Sequence, residues 1–256
     1  ERGPDRSRAH LRTVDDRRAS KPLFIGNDNA FRGLVWGPPA GIRRRALCRY
    51  SSAMTRPILA LDADGVLVDL HVGYARAWHR AFGIFPTERD PQAYWPMDRW
   101  AVNKVDAEQR LLLRAQFDES MWASLPAIEG AVEACHRLHD AGYELVCVTA
   151  LEARFQRARL DNLKALGFPI RRVVATGHVE GERSPKADAI EALRPVAFVD
   201  DYIAYMRGVP AYVHTALVLR APNGSPNVGD ELRLARSVHQ DLADFADHWL
   251  GPAGTD

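Results

Sequence analysis

From residue 58 onward the chain alternates short apolar runs with longer amphipathic stretches. Five of the short runs are typical of buried strands, because they are apolar on both faces over several residues. They are ILALDAD (58–64), ELVCVTA (144–150), RRVVATG (171–177), VAFVDD (196–201) and AYVHTALVL (211–219). Strands separated by helices pair in parallel with right-handed crossovers. The pattern therefore predicts an α/β fold, a doubly wound three-layer parallel sheet.

The amphipathic stretches predict four helices around this sheet. The first spans 128–141 and stops at Gly142, the second closes at Gly167, and the third begins after Ser184-Pro185. A fourth follows the last strand. Their inward stripes are Ile128, Ala131, Val132, Cys135 and Leu138; Phe155, Ala158, Leu163 and Leu166; Ala187, Ile190 and Leu193; and Val238, Leu242, Phe245 and Trp249.

One interval, residues 70–127, breaks the alternation and is too long for a loop in a compact domain. It carries an amphipathic helix with Val72, Ala75, Trp78 and Phe82 inward. A second helix is expected around 106–121, where Asp106 and Gln109 have capping-box spacing. We therefore predict a core formed by 54–69 and 128–256, with 70–127 inserted as a small helical cap, hereafter the insertion.

The first 53 residues show no sustained period, either helical or strand-like, and are broken by GPPAG. Such a segment buries too little apolar surface to offset its chain entropy. We expect 1–53 to be a disordered basic extension, since it holds 12 Lys and Arg against 5 Asp and Glu. Its run Arg43-Arg44-Arg45 leaves nucleic-acid contact or a transit peptide open as alternatives. Met54 precedes the first strand and marks the expected start of the folded part.

Composition narrows the class of protein. Hydrophobic residues make up 46 % and charged residues 26 %, which is ordinary for a globular chain, and no apolar run approaches the ~20 residues of a membrane span. The acidic balance of 54–256 argues against a nucleic-acid-binding surface there. Cys48, Cys135 and Cys147 lack metal-ligand spacing and suit a reducing compartment. We expect a cytoplasmic monomer or dimer that does not contact a membrane.

Polar residues gather where the predicted strands end, which is where such sheets bind ligands. They are Asp62 and Asp64 after strand one, Thr149 at strand two, Asp200 and Asp201 at strand four, and Lys186 at the helix before strand four. Ionised carboxylates behind a buried strand need positive charge beside them. Oxygen ligands without His or Cys favour Mg²⁺, and Lys186 would add a second cation.

Four segments resemble, in order and spacing, the motifs of the haloacid-dehalogenase-like (HAD) superfamily: DADGVLVD, the Thr that ends LVCVT, SPKADAI and FVDD. The resemblance covers roughly 58–250 and implies that the insertion is a C1 cap. It implies that Asp62 is the nucleophile and Asp64 the general acid/base. The implied phosphate-binding residues are Thr149, Ala150 and Lys186, and the implied Mg²⁺ ligands are Asp62, Asp64, Asp200 and Asp201.

The implied reaction is the hydrolysis of a small-molecule phosphate ester through an aspartyl-phosphate. A carboxylate is a weak nucleophile, but it can attack phosphorus when a metal and a lysine neutralise the phosphoryl oxygens. General acid/base transfer by Asp64 typically contributes 10²–10⁴-fold. Asp64 is two residues beyond Asp62, so it can reach the leaving oxygen while its backbone carbonyl stays available to the metal.

Other branches of the superfamily fit less well. Dehalogenases lack an acid at the position of Asp64, and a phosphonate-cleaving enzyme would need a cap lysine, for which only Lys104 is available. Sugar phosphomutases carry Thr and His where this chain has Leu70 and Tyr74. A Mg²⁺-dependent phosphatase is the leading hypothesis. A 5′-nucleotidase-like or phosphomutase-like enzyme, or a non-catalytic HAD-like binding module, remains an alternative.

The insertion is expected to set substrate specificity. Its aromatic residues either stack on a base or sugar of the substrate or form a small apolar core. They are Trp78, Phe85, Tyr94, Trp95 and Trp100. His71, His79 and Arg99 are further candidates for substrate contact.

Overall fold

Six parallel strands form one sheet in residues 56–178 and 181–251, the part of the chain that the computed structural model describes. The strands lie in the order β3-β2-β1-β4-β5-β6, and each neighbouring pair is parallel. They are β1 Ile58–Leu61, β2 Glu144–Thr149, β3 Arg172–Ala175, β4 Ala197–Asp200, β5 His214–Val218 and β6 Ser237–His239. The predicted doubly wound α/β fold is confirmed.

Helices cover both faces of this sheet because strand side chains alternate between them. Leu59 and Leu61 of β1 face the larger core, which also contains Leu138 and Phe245, whereas Ala60 faces a second core with Ile190. The α-helices of the described ranges are α1 Leu70–Phe82, α2 Pro96–Arg99, α3 Ala107–Ala115, α4 Glu119–Trp122, α5 Ala131–Asp140, α6 Gln156–Ala165, α7 Ala187–Leu193 and α8 Leu242–Leu250. The result is the predicted three-layer arrangement.

Side-chain caps define where several helices begin. The Asp69 carboxylate accepts hydrogen bonds from the backbone N–H groups of His71 and Val72, at 2.8 and 3.2 Å, and so starts α1. The capping box predicted at Asp106 and Gln109 is present, with both of its hydrogen bonds formed. Such caps satisfy backbone donors that a helix leaves free at its first turn.

Two details of the predicted elements are wrong. The helix expected over 106–121 stops at Ala115 and restarts as α4, because the Asp118 side chain accepts a hydrogen bond from Met121 N and caps a new helix. Val238, expected on the inward stripe of the last helix, lies in β6 and is 53 % exposed. The short β6 pairs with β5 before α8 begins, so Val238 belongs to the sheet and not to the last helix.

The insertion packs partly on itself and partly on the core. Ala77, Trp78 and Leu113 form a small apolar cluster within it, while Met121 and Leu125 belong to the main core. Residues 70–127 therefore contain α1 to α4, while their role as a cap stays a prediction. The exact bounds of the insertion, and those of the core segments, stay a prediction, and residues 1–53 lie outside the described residues.

Backbone hydrogen bonds tie the insertion to the loop that follows β5. Asn223 lies in that loop; its N–H donates to Gln92 O at 3.0 Å, and its carbonyl accepts from Tyr94 N at 2.9 Å. The Asn223 side-chain amide also donates to the Asp90 carboxylate at 3.0 Å. These hydrogen bonds join the insertion to a part of the core that is distant in sequence from both ends of the insertion.

The two cysteines within the described residues, Cys135 and Cys147, are buried free thiols, as expected. Burial raises the pKa of both thiols, which makes them unreactive. Cys48 lies outside the described residues.

Among the helices of the described ranges, none has the length and apolar character needed to cross a membrane.

His214 in β5 makes the stability of the fold sensitive to pH. Its Nε2 lies 2.8 Å from the Ser237 hydroxyl, and its ring packs 5.3 Å from that of Trp249. Burial, reinforced by the charge of Arg236 and by two neighbouring histidines, lowers the pKa of His214 from 6.5 to about 4. The unfolded chain therefore binds more protons than the folded one between these values, so stability falls as pH drops below about 6.5.

We expect His214→Gln to weaken this pH dependence. On going from pH 7 to pH 5, the free energy of unfolding of the variant should fall by about 1 kcal/mol less than that of the unsubstituted chain, after allowance for partial exposure. Urea unfolding at the two pH values measures the difference. The matched control is His79→Gln, at an exposed histidine of α1. An unchanged pH dependence in His214→Gln would contradict the role of this histidine.

Candidate active site

Lys186 joins the ends of two neighbouring strands. The side chain is fully buried, and its Nζ donates to Asp62 Oδ1 at 2.5 Å and to Asp200 Oδ2 at 2.7 Å. Asp62 directly follows β1, and Asp200 is the last residue of β4. Burial alone would lower the pKa of Lys186, but the carboxylates of Asp200 and Asp62 outweigh it and raise this pKa. The ammonium group therefore stays charged inside the protein.

Local structure fixes the backbone at Lys186. Ser184 Oγ accepts a hydrogen bond from Lys186 N at 3.1 Å, and Ser184 O accepts one from Ala187 N at 3.0 Å. The Ser184-Pro185 pair thus forms the turn that begins α7, close to its predicted position. The Tyr205 ring covers the ammonium group, with Nζ 4.3 Å from the ring centroid.

Three carboxylates lie together at this sheet edge. Asp62, Asp200 and Asp201 each have an oxygen within 4.8 Å of the other two. Burial raises the pKa of Asp200 to about 7 despite Lys186, and burial with the charges of Asp62 and Asp200 raises that of Asp201 further above its ordinary value. One lysine is thus too little positive charge for this group. A cluster of oxygen donors that lacks positive charge fits a hard divalent cation such as Mg²⁺.

Gly65 makes room for this cluster. A Cβ at Gly65 would lie 2.2 Å from Asp201 Oδ2, and the backbone φ of 93° is one that residues with a side chain rarely adopt. Asn227 supports the same loop from the other side: its amide donates to Asp201 O and accepts from Ile203 N, both at 2.7 Å. The position of Asp201 is therefore held from both sides.

Asp64 is not part of this group of three carboxylates and is paired with Arg159 instead. Its Oδ1 accepts a hydrogen bond from Arg159 Nη2 at 2.6 Å, and its side chain is 21 % exposed. Burial raises the pKa of Asp64, and the charge of Arg159 is the largest opposing effect. The predicted contact of Asp64 with the metal, through its backbone carbonyl, stays a prediction.

A cavity of about 790 Å³ opens above these residues, at the carboxyl ends of the strands. Asp62, Asp64 and Asp201 line it together with Thr149 and Ala150. Lys186 and Asp200 do not line the cavity, but Lys186 donates to both Asp62 and Asp200 and so connects Asp200 to the residues that do. The cavity is large enough for a small phosphorylated metabolite.

The aromatic residues of the insertion divide into two groups. Tyr94 and Trp95 line the cavity. Trp78 belongs to the apolar cluster of the insertion. Trp100 is buried, with its indole N–H donating to His71 O at 2.9 Å, and Phe85 packs against Trp100 at 5.9 Å. The small apolar core foreseen for these residues thus forms around Trp78, while stacking of Tyr94 and Trp95 on a substrate stays a prediction.

The three polar candidates of the insertion also separate. His71 lines the cavity and is buried, its Nε2 donates to Tyr94 O at 2.8 Å, and burial lowers its pKa. His79 is exposed on the outer face of α1. Arg99 donates to the Glu88 carboxylate at 2.8 Å and to Pro91 O at 2.6 Å. Arg99 therefore holds the fold of the insertion together.

Leu70 and Tyr74 bear on the phosphomutase alternative, and Lys104 bears on the phosphonate-cleaving alternative. Leu70 lines the cavity, while Tyr74 packs in the insertion against Trp78 and Phe117, with ring centroids 6.3 Å away in each case. Lys104 is exposed in the segment before α3 and is not one of the described residues that line the cavity. Leu70, Tyr74 and Lys104, the residues at the positions that mutase or phosphonatase chemistry would use, thus offer no catalytic group to the cavity.

Sequence reasoning missed Arg220 and Trp122, which are among the residues that line the cavity, and Arg159, which does not line it but bonds to Asp64. Arg220 follows β5 and lies with its Nη1 3.8 Å from Asp69 Oδ2; its Nε is buried without a hydrogen-bond partner within the described residues. A usable signal existed for Arg159. The buried positions 158, 159, 162 and 163 of α6 follow helical spacing, so a polar pair falls on its inward face.

Comparison with protein families gave a match to part of this chain. The family model described as "5' nucleotidase, deoxy (Pyrimidine), cytosolic type C protein" matches residues 56–167. The search of curated proteins found no significant match.

Solved structures share the fold. A HAD family hydrolase from Deinococcus radiodurans R1, solved with bound phosphate and sodium, is 18 % identical, with a TM-score of 0.52 over 78 % of this chain and 99 % of that chain. A haloacid dehalogenase-like hydrolase from Streptococcus pneumoniae is 14 % identical, with a TM-score of 0.51 over 76 % of this chain and 98 % of that chain.

The family match covers the Asp62 and Thr149 motifs, and the fold brings the Lys186 and Asp201 motifs beside them. The acid at position 64, which dehalogenases lack, lines the same cavity. The family match, the shared fold and these residues together support a haloacid-dehalogenase-like hydrolase of the phosphatase type.

Proposed function

We propose that the protein is a Mg²⁺-dependent phosphatase that forms an aspartyl-phosphate on Asp62 and acts on nucleoside monophosphates. The observation that carries the proposal is the buried Lys186 bonded to Asp62 and Asp200, beside Asp201 and below the cavity. The arrangement provides a nucleophile, a fixed cation and an oxygen-donor set for a second cation. These are the components that phosphoryl transfer needs.

The metal would be held by the carboxylates of Asp62 and Asp201, with Asp200 next to them and the backbone carbonyl of Asp64 as a further ligand. When bound, Mg²⁺ supplies positive charge that neutralises the phosphoryl oxygens and lets two carboxylates approach an anionic substrate. Thr149 is the last residue of β2 and Ala150 follows it; both line the cavity and would bind the remaining phosphoryl oxygens.

Two half-reactions follow from this arrangement. In the first, a carboxylate oxygen of Asp62 bonds to phosphorus, the ester P–O bond breaks, and Asp64 gives its proton to the leaving oxygen. In the second, water attacks phosphorus, the bond to Asp62 breaks, and Asp64 takes a proton from the water. Lys186 stays bonded to Asp62 and offsets negative charge throughout.

Substrate class is argued from the cavity wall and the family match. Tyr94 and Trp95 line the cavity from the insertion, and Trp122 lines it from α4. Tyr94 and Trp95 meet edge to face, with centroids 5.0 Å apart, so at least one ring is free to present a face to a planar ligand. Similarity to a nucleotidase family supports a nucleobase as that ligand.

The two aspartates can be distinguished by substitution. Asp62→Asn should form no phosphoenzyme, because the anionic nucleophile is gone. Asp64→Asn should slow both half-reactions by about 10²–10⁴-fold. An aryl phosphate, whose leaving group needs little protonation, should restore the first half-reaction only, so phosphoenzyme accumulates. Mass spectrometry of the peptide containing Asp62 measures it, with EDTA-treated enzyme as the inactive control. Label on another residue, or turnover by Asp62→Asn, would contradict the mechanism.

Metal binding can be tested without turnover by comparing Gly65→Ala with Gly83→Ala. Both glycines have positive φ, 93° and 76°, but only at Gly65 would a Cβ collide with Asp201. Both variants should lose about 1–2 kcal/mol from backbone strain. Mg²⁺ should raise the thermal midpoint of the Gly83→Ala variant as it does that of the unsubstituted chain, and that of Gly65→Ala much less. Equal Mg²⁺ stabilisation of both variants would count against Asp201 as a ligand.

The substrate class can be tested on Trp95. Loss of base stacking in Trp95→Leu should raise KM for nucleoside monophosphates about 10-fold, because stacking contributes about 1–3 kcal/mol per base. KM for glycerol phosphate, which has no ring, should not change. Phe85→Leu is the matched control, since Phe85 is an exposed aromatic of the insertion away from the cavity. Preference of the unsubstituted enzyme for phosphates without a base would refute the nucleotide assignment and leave the phosphatase assignment intact.

A further inference from the structure

Arg159 of α6 is a fully buried arginine whose guanidinium lies against Asp64. Its Nη2 donates to Asp64 Oδ1 at 2.6 Å. The guanidinium also lies over the Trp122 ring, 5.3 Å from its centroid. A buried arginine is costly unless it is paired, and here its partner is the acid assigned to proton transfer.

We infer that Arg159 is a positioning residue that determines which oxygen of Asp64 carries the catalytic proton. The inference rests on the proposed role of Asp64 as general acid/base. It goes beyond that role because it makes the proton transfer depend on Arg159, a side chain that lies outside the four sequence motifs.

The donor chemistry of arginine gives the reason. A guanidinium has only N–H donors and cannot accept a hydrogen bond. Asp64 Oδ1 must therefore remain an acceptor as long as Arg159 is bonded to it, so a protonated Asp64 carries its proton on Oδ2. Asp64 lines the cavity, and Oδ2 is the oxygen left to meet a substrate. Without Arg159, the acid could rotate and place its proton on either oxygen.

The surroundings of Arg159 hold the guanidinium in place. The Trp122 ring covers it from α4, and Asn162, one turn later on α6, donates to Leu125 O at 2.9 Å. Arg159 Nη1 lies 3.5 Å from Asn162 Oδ1. The end of the insertion and α6 thus pack together around this side chain. Arg159 is thus enclosed by packing and by a polar contact on the side away from Asp64, while its buried Nε has no hydrogen-bond partner within the described residues.

Leaving groups of different acidity show whether Arg159 acts through Asp64. In the first half-reaction, proton donation from Asp64 Oδ2 matters most for a poor leaving group such as an alkyl alcohol. We expect Arg159→Met to lower kcat/KM for an alkyl phosphate about 10²-fold, and for an aryl phosphate less than about 5-fold. Arg159→Lys retains a charged donor and should recover much of the loss.

A second variant separates positioning from simple loss of stability. Leu163→Ala removes a fully buried apolar side chain of the same helix from the main core but no hydrogen bond of Arg159. It should lower the thermal midpoint while leaving the ratio of alkyl to aryl kcat/KM unchanged. In an Asp64→Asn background, Arg159→Met should add almost no further loss on the alkyl phosphate.

The outcomes distinguish a failure of the positioning role of Arg159 from a failure of the proposed phosphatase function. An equal loss on alkyl and aryl phosphates in Arg159→Met, or the full loss again in the Asp64→Asn background, would overturn the positioning role while the phosphatase assignment stands. Failure of the unsubstituted enzyme to hydrolyse either ester with Mg²⁺ would overturn the proposed function, and with it the role of Arg159. Selective loss on the alkyl ester, rescued by Arg159→Lys, supports the inference.

Discussion

Burying an ammonium group costs several kcal/mol unless opposite charges accompany it, and Lys186 is fully buried. It is stable there because Asp62 and Asp200 contact it at 2.5 and 2.7 Å. The same contacts place a positive charge beside both carboxylates, which charged groups at the end of a buried strand require. The three side chains therefore depend on one another, and the remaining site is built around them.

The sheet brings these charges together. β1 is bonded to β2 on one side and to β4 on the other. The chain therefore extends the sheet from β1 through β2 to β3 on one side, and then from β4 to β6 on the other. A crevice forms at such a switch point beyond the carboxyl ends of the strands. Asp62 N donates to Val199 O at 2.9 Å, which continues the β1–β4 pairing to the residue before Asp200. Backbone pairing alone thus sets the spacing between the two carboxylates.

The sequence predicted the residues whose position follows from strand order. Asp62, Thr149 and Asp200 were predicted to meet because carboxyl ends of parallel strands share an edge. It failed for β6, since three residues are too few to show a strand pattern, and Val238 was counted with the next helix. Helical spacing places Arg159 on the inward face of α6, but its partner lies 95 positions away in the sequence and could not be found from that spacing. Long-range contacts of this kind leave little trace in local periodicity.

The hydrogen bonds between Asn223 and the insertion have a consequence for substrate exchange. Asn223 belongs to the same loop as Asn227, which holds the backbone carbonyl of Asp201. If the insertion swings outward while its bonds to Asn223 persist, it pulls on that loop and loosens the support of Asp201. Opening of the cavity for product release would then also weaken the grip on the metal. An enzyme built this way would hold its metal most firmly while the substrate is enclosed.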